Sequence, residues 1–356
     1  MDTQAIRFCT SFDGTRIAYA ATGHGPPLVK APHWLTHLEY EYASPIWQPW
    51  IGALAAEHRL LRMDARACGL SDWDVADLSF EAYVRDLEAV VDAAGFTEPF
   101  ALFGHSQGSA TAIAYAARHP ERVSHLVLLS GYARGIKHRG LPPERLAEYQ
   151  AQVQLVAAGW GREDASYRQM FSMQFLPGAT PEQIQSMSAL QRAASSPENA
   201  TRIIAGFHDI DVAHEAPLVR CPTLVLHSRR DLRVPFEEGR LVAGLIPGAT
   251  FVPLDTENHI LLPQDPAYAR FFSELRAFLP AAAGSDARRA FGSLTRREAE
   301  ILDGIARGLD NARIASGLGL SEKTVRNNVT HIFDKLGVAS RAQAIVLARD
   351  HGLGKG

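Results

Sequence analysis

An apolar run, Phe100-Ala101-Leu102-Phe103, passes through Gly104-His105-Ser106-Gln107-Gly108 into a helix-like stretch, Ser109-Ala110-Thr111-Ala112-Ile113-Ala114-Tyr115-Ala116-Ala117. A buried strand that turns at once into a helix brings backbone against backbone. Glycine on either side of the turn is the residue that tolerates this, because it has no Cβ to clash. The pentapeptide alone is weak evidence; its place between a strand and a helix is what restricts the fold. Similar short apolar runs recur at Arg16–Ala20, Pro27–Ala31, Arg59–Met63, Leu126–Leu129, Thr223–His227 and Thr250–Leu254. Such runs, rich in Val, Leu and Phe, suit strands covered on both faces. Helical periodicity fills the gaps, as in Phe80–Val91 with Ser79 as N-cap. Strand, helix, strand, repeated, predicts an α/β fold: a doubly wound, mostly parallel sheet.

The rhythm breaks between about Ala133 and Asp211, where the chain reads as all-helical with Pro142-Pro143, Pro177-Gly178 and Ser196-Pro197 as punctuation. A helical insert after the central strands reads as a lid. Its Trp160, Met170, Phe171 and Phe175 are candidates to line a ligand pocket, since methionine-rich apolar surface adapts to varied ligands. Plain packing of the insert explains any one of them equally well. Pro280-Ala281-Ala282-Ala283-Gly284-Ser285-Asp286-Ala287 is small and polar, the best linker candidate. The expected organisation is therefore an α/β domain over 1–280, a linker over 281–292, and a small all-α domain over 293–356.

Charge divides the same way. From Asp286 onward twelve Lys and Arg face eight Asp and Glu, a net +4, which leaves −7 on the preceding residues of a chain whose formal charge is −3. A basic tail on an acidic body fits nucleic-acid contact by the tail. Cys9, Cys68 and Cys221 are far apart and read as free thiols of a reducing compartment. The start, Met1-Asp2-Thr3-Gln4, lacks a basic region followed by an apolar one. No run approaches the roughly 20 apolar residues of a membrane helix. The expectation is a cytoplasmic protein with no membrane partner.

A serine hydroxyl becomes a useful nucleophile when a base takes its proton, and the base needs an orienting acid. Asp231 lies just past the Thr223–His227 strand, and His259 just past the Thr250–Leu254 strand. Both fall at carboxyl ends of strands, where open sheets place ligands. Together with Asp13-Gly14-Thr15-Arg16-Ile17-Ala18-Tyr19 and Asp64-Ala65-Arg66-Ala67-Cys68-Gly69-Leu70-Ser71-Asp72, these features resemble the α/β-hydrolase superfamily from about Ile6 to Leu279. The resemblance implies Ser106 as nucleophile, His259 as general base and Asp231 as its orienter, in the chain order expected of this architecture. Two departures bear on turnover. Pro32-His33-Trp34 stands where many members have His-Gly, leaving the backbone N–H groups of Trp34 and Gln107 as the oxyanion donors, and Ala67 fills a common glycine slot. His33, His37 and His105 fit no metal-ligand spacing, so no metal or cofactor is expected. His33 and His105 join the candidate pocket lining.

The tail opens with Leu294-Thr295-Arg296-Arg297-Glu298, a capping box with Thr295 as N-cap. Asn311-Ala312-Arg313-Ile314-Ala315 begins a second helix, Gly317-Leu318-Gly319-Leu320 makes a turn, and Ser321 caps a third helix running through Thr324-Val325-Arg326-Asn327-Asn328 and His331-Ile332-Phe333-Asp334-Lys335-Leu336. From about Ser293 to Arg349 this resembles the LuxR-type helix-turn-helix module. The resemblance implies a third helix that reads double-stranded DNA in the major groove. On it, Lys323, Thr324, Arg326, Asn327 and His331 are candidate contacts; Arg326 and Asn327 can address base edges, while Lys323, Lys335 and Arg341 suit phosphates. Val325 meets either a thymine methyl or the core, and its spacing favours the core. The last helix, Ala342–Ala348, is more apolar than so small a core requires, and the resemblance implies a homodimer.

Two functional readings follow. The first is a transcriptional regulator whose hydrolase-like domain senses a small-molecule ligand. The second is an active serine esterase or lactonase acting on an ester-like substrate, with an accessory DNA-binding domain.

Overall fold

The computed structural model describes residues 4–162, 165–280, 291, 294–350 and 352–354. The chain forms two compact units, 1–280 and 281–356. The expected linker, 281–292, lies outside the described residues except for Phe291.

The first unit is built on eight strands among the described residues: β1 (Ala5–Thr10), β2 (Arg16–Thr22), β3 (Pro27–Lys30), β4 (Arg59–Met63), β5 (Phe100–His105), β6 (Val123–Leu129), β7 (Thr223–Ser228) and β8 (Thr250–Leu254). They lie side by side in the order β1-β2-β4-β3-β5-β6-β7-β8. β2 pairs antiparallel with β1 and β4; every pairing from β4 to β8 is parallel. Period-2 alternation sorts the side chains. Phe100 and Leu102 of β5, with Leu126 and Leu128 of β6, enter one core, whereas Ala101, Phe103, Val127 and Leu129 enter the other. β1 escaped the sequence reading. It is an edge strand with mostly exposed side chains, so no apolar run marks it.

The helices of this unit are α1 (Leu38–Ala43), α2 (Trp47–Glu57), α3 (Phe80–Ala93), α4 (Gly108–Arg118), α5 (Pro143–Gly159), α6 (Ala165–Met173), α7 (Pro181–Ala194), α8 (Pro197–Phe207), α9 (Phe236–Leu245) and α10 (Pro266–Phe278). α3, α4 and α9 pack on one face of the sheet, and α2 and α10 on the other. Ser79 caps α3 by accepting from the Ala82 amide. α5 to α8 form the insert. Its ends are tied at one place, where Arg134 pairs with Asp211 and the Val212 amide donates to the Ala133 carbonyl at 2.9 Å. Each interior helix is fixed by the apolar stripe it buries, worth roughly 1.5–3 kcal/mol per large side chain.

One buried ion pair braces the loop after β4. Arg66 donates through Nε and Nη2 to both oxygens of Asp86, each at 2.7 Å, with both side chains fully buried. Nη1 reaches Asp13 at 2.9 Å and the Asp77 carbonyl at 2.8 Å. Burial alone would lower the guanidinium pKa, but Asp86 and Asp13 reverse that and raise it.

The second unit contains α11 (Arg296–Ala306), α12 (Asn311–Leu318), α13 (Glu322–Leu336) and α14 (Arg341–Asp350). Ile301, Leu302, Ile305, Ile314, Val325 and Ile332 make its core. The Thr295–Glu298 capping box is formed, and Asp310 and Ser321 cap α12 and α13 through the Arg313 and Thr324 amides. Gly317 and Leu318 complete α12 rather than turning. The turn falls at Gly319, whose φ of 65° is the left-handed conformation glycine adopts without strain.

Among the described residues no helix is long and apolar enough to cross a membrane.

Candidate active site and nucleic-acid interface

β5 delivers Ser106 at the turn into α4, where the serine takes φ 54°. A non-glycine residue there costs about 1–2 kcal/mol, and the surrounding packing holds it. A Cβ on Gly104 would come within 2.7 Å of the Ser109 Cα, and one on Gly108 within 2.7 Å of the Pro32 carbonyl oxygen. The two glycines flanking Ser106 are thus required by contact, as their spacing suggested.

β7 and β8 deliver the other two side chains. His259 Nδ1 lies 2.8 Å from Asp231 Oδ2, with both side chains buried. Asp231 Oδ1 accepts from the amides of Arg233 (2.8 Å) and Val234 (2.9 Å). Burial alone would raise the Asp231 pKa; the neighbouring His259 and His227 rings and the Val234 amide hold it below its usual value. An anionic Asp231 fixes the tautomer with hydrogen on Nδ1 and leaves Nε2 as the basic atom. His259 Nε2 is buried and has no hydrogen-bond partner among the described residues.

Ser106 is half-buried and lines a cavity with Trp34, Gln107 and Phe175. Among the described residues no protein acceptor takes the amide hydrogens of Trp34 or Gln107. Phe175 packs on the His259 ring at 5.9 Å between centroids. Its carbonyl accepts from the His259 amide (2.8 Å) and the Ile260 amide (2.9 Å). A third bond, from the Gly178 amide to Asn258 Oδ1 at 2.9 Å, joins the same two segments.

Of the residues expected to line the pocket, only Phe175 reaches this cavity. His105 ends β5: it stacks on His259 at 5.2 Å and places Nε2 3.2 Å from the His259 carbonyl. His33 is buried between Trp47 and His105. Burial pushes the pKa of both rings well below the ordinary histidine value, so they are neutral packing groups. Trp160 stacks behind Trp34 and donates Nε1 to the Ser195 carbonyl at 2.8 Å. Phe171 also packs on Trp34, and with Met170 it lines an adjoining cavity under α5 and α6. Met170 is 43% exposed. The lid supplies a second layer here, which lid composition alone does not reveal.

The lining that sequence reasoning missed mixes polar side chains, Tyr132, Arg139, Tyr149, His208 and Arg233, with the apolar Ile136, Phe207 and Val234. Arg233 carried one signal, its position two residues after Asp231.

In the second unit, Lys323, Thr324, Arg326, Asn327 and His331 are exposed on α13, while Val325 is fully buried and belongs to the core. Lys335 and Arg341, expected at phosphates, are engaged internally. Lys335 Nζ lies 2.7 Å from Glu298 Oε2, which ties α13 to the start of α11. Arg341 donates to Asn311 Oδ1 at 3.0 Å and to the Leu309 carbonyl. On α14, Ala344 and Ala348 are buried in the core and Ile345 and Leu347 pack against it, leaving Val346 at 61% exposure.

The sequence model of the alpha/beta hydrolase fold family matches residues 38–266. The chain belongs to that family. A second family model, bacterial regulatory proteins of the luxR family, matches residues 292–348 of this hydrolase-fold chain. The chain is 27% identical over 220 residues to a putative carbamate hydrolase RutD of Klebsiella pneumoniae (strain 342), covering 60% of this chain and 79% of that protein. It is 29% identical over 242 residues to the AB hydrolase superfamily protein YisY of Bacillus subtilis (strain 168), covering 67% and 86%. Among solved structures, a hydrolase from Pseudomonas aeruginosa PA01 superposes with a TM-score of 0.63 at 24% identity, covering 78% of this chain and 98% of that one. That likeness speaks to the fold alone. An α/β-hydrolase unit and a LuxR-type helix-turn-helix unit therefore share one chain.

Proposed function

We propose that this protein is a cytoplasmic DNA-binding transcriptional regulator in which a small molecule, captured beside Ser106, biases the affinity of the helix-turn-helix unit for duplex DNA. The observation that carries the reading is on α13. Lys323, Thr324, Arg326 and Asn327 are exposed together while Val325 among them is fully buried. That helix spends its apolar side on its own core and leaves an exposed polar front of the kind that enters a major groove. A ligand acts by binding one arrangement of the protein better than another, and its differential affinity sets the size of the shift. The test is selection of duplexes from a random-sequence pool by the full-length protein. Enrichment of a defined sequence, lost in Arg326→Ala/Asn327→Ala, supports the reading; a pool that stays random through repeated rounds sinks it. Val346, exposed on α14, is the proposed centre of a homodimer contact. Selected sites should then contain two-fold-related halves, and Val346→Glu should shift the sedimentation coefficient to that of a monomer.

A second reading has its own support. The Asp231–His259 bond, the unpartnered His259 Nε2, the free Trp34 and Gln107 amides and the serine elbow are the parts of a serine hydrolase. In this reading Ser106 Oγ attacks an ester carbonyl, and His259 takes the hydroxyl proton and returns it to the leaving alcohol. The two amides hold the oxyanion, and water then cleaves the acyl-enzyme. Hydrolysis of a chromogenic short-acyl ester at equal rates by the protein and by Ser106→Ala would remove it. The readings are compatible, since slow hydrolysis of the ligand would end the signal.

A further inference from the structure

The wall of the Ser106 cavity carries two arginines, Arg139 and Arg233. Arg233 leaves the chain two residues after Asp231 and hangs by its own amide from Asp231 Oδ1. Its guanidinium lies over the Phe175 ring at 5.3 Å and donates Nη1 to the side-chain carbonyls of Gln152 (3.2 Å) and Gln174 (3.4 Å). These acceptors are neutral, and no carboxylate forms an ion pair with Arg233 among the described residues. The nearest acid in sequence, Asp231, is committed to His259. Arg139 has a side chain only 6% exposed; its Nε donates to the Arg134 carbonyl at 2.9 Å. The carboxylate nearest to it, Glu238, stands 3.8 Å away and is held more closely by Arg134 at 3.0 Å. Trp34, in the same wall, adds a buried indole N–H without a partner among the described residues. His208, also in the wall, has its pKa pushed down to about 4 by burial and by Arg233 and Lys137, so at neutral pH it supplies neither positive charge nor a counter-charge.

Arg139 only shares the Glu238 carboxylate with Arg134, and the half-buried Arg233 has no ion pair among the described residues, so this wall holds more positive than negative charge, which is costly unless something pairs with it. A guanidinium presents a planar fork that matches a carboxylate bidentately. We infer that the Ser106 cavity binds a small organic anion, a carboxylate-bearing ligand whose charged group sits against Arg139 and Arg233 while its other end lies at Ser106. This rests on the reading of the cavity as the ligand site. If Ser106 also reacts, the substrate class is a monoester or lactone that carries a free carboxylate, and the two arginines select it over neutral esters of the same length.

Binding is measured apart from chemistry, by calorimetric titration of the full-length Ser106→Ala protein. The probes are the C4 to C6 straight-chain dicarboxylates and their dimethyl esters, which have the same backbone and no charge. The expected result is saturable binding of at least one dicarboxylate. It should weaken tenfold or more in Arg233→Gln and in Arg139→Gln and be partly retained in Arg233→Lys, and the matching dimethyl ester should bind at least tenfold more weakly. Circular dichroism and the melting temperature of each variant establish that it is folded. Tighter binding of the neutral diester, affinity unchanged in both folded glutamine variants, or no dicarboxylate binding at millimolar concentration each overturns the inference. The ester assay reads separately: hydrolysis of neutral esters with no preference for acidic ones refutes the anion site and leaves the serine-hydrolase reading standing. Carboxylate binding without hydrolysis does the reverse.

Discussion

The exposed and the engaged cations of the DNA-binding unit should separate in a salt titration. Lys323 and Arg326 carry no side-chain hydrogen bond or ion pair among the described residues and stand on the open face of α13. Lys335 is held by Glu298, and Arg341 by Asn311 and the Leu309 carbonyl. A cation that neutralises a phosphate releases condensed counterions, and the slope of log K against log salt changes by about 0.9 for each such contact. Lys323→Ala and Arg326→Ala should therefore each flatten the slope by about 0.9 per bound protomer if both side chains meet phosphate. Across a fourfold rise in salt, each lost contact removes a factor of about 3.5 from the fall in affinity. An Arg326 that instead reads a base edge keeps the slope and loses sequence preference, by about 1–3 kcal/mol. Lys335→Met and Arg341→Met should leave the slope nearly unchanged and lower the stability of the unit, for Arg341 by about 1.5–3 kcal/mol as its charged hydrogen bonds are lost. The assay is fluorescence anisotropy of a labelled duplex with full-length protein at several salt concentrations, beside thermal unfolding of each variant. Equal flattening by the Lys335 and Lys323 variants would refute the division between engaged and free cations. No effect on either slope or preference from Lys323 and Arg326 would refute the placement of α13 against DNA.

Three further outcomes follow from buried charge. Asp86→Ala leaves the fully buried Arg66 guanidinium without its two-bond partner and should destabilise the hydrolase unit by about 3–5 kcal/mol, whereas Asp13→Ala, at a partly exposed partner, should cost well under half as much; urea unfolding that ranks them equally contradicts the burial argument. Burial pushes the Asp64 pKa up to about 7 from 3.8, so between those values the folded state holds a proton that the unfolded chain has released, and stability falls as pH rises through the window, by up to about 1.4 kcal/mol per pH unit; Asp64→Asn should flatten that dependence, and an unchanged profile would refute the assignment. Lys335 and the Thr295 amide hold the Glu298 carboxyl down to about 2, so its contribution to the second unit is complete above the usual glutamate value of 4.5 and is lost as pH drops toward 2; acid unfolding of Glu298→Gln should lack that component.

Much of the architecture was legible in the chain because it rests on local pattern. Seven strands announce themselves as apolar runs, the elbow glycines as spacing, the capping box as Thr295 and Glu298, and the insert as a stretch of helices between proline pairs. β1 was not legible, because an edge strand with exposed side chains has neither alternation nor a run. The cavity wall was not legible for a different reason. A lid rich in methionine and aromatic residues looks like pocket lining, yet Trp160 and Phe171 are used to pack Trp34, and the wall is completed by Arg139 and Arg233 from loops whose neighbours in space are remote in sequence. The same limit applied to Lys335 and Arg341. A cation bound by Glu298 or by a main-chain carbonyl is indistinguishable in sequence from one waiting for a phosphate.

The bonds between the Phe175 carbonyl and the amides of His259 and Ile260, with the Gly178 amide on Asn258, have a mechanical corollary. The cavity wall at residues 175–178 and the loop carrying His259 move as a single piece. Were residues 175–178 to lift as a flap, they would drag the imidazole out of register and sacrifice three hydrogen bonds, about 0.5–1.5 kcal/mol apiece. A doorway that leaves the imidazole in place must therefore hinge elsewhere than at residues 175–178. By the same token, a 175–178 segment transplanted from a relative will function only if its 258–260 counterpart travels with it.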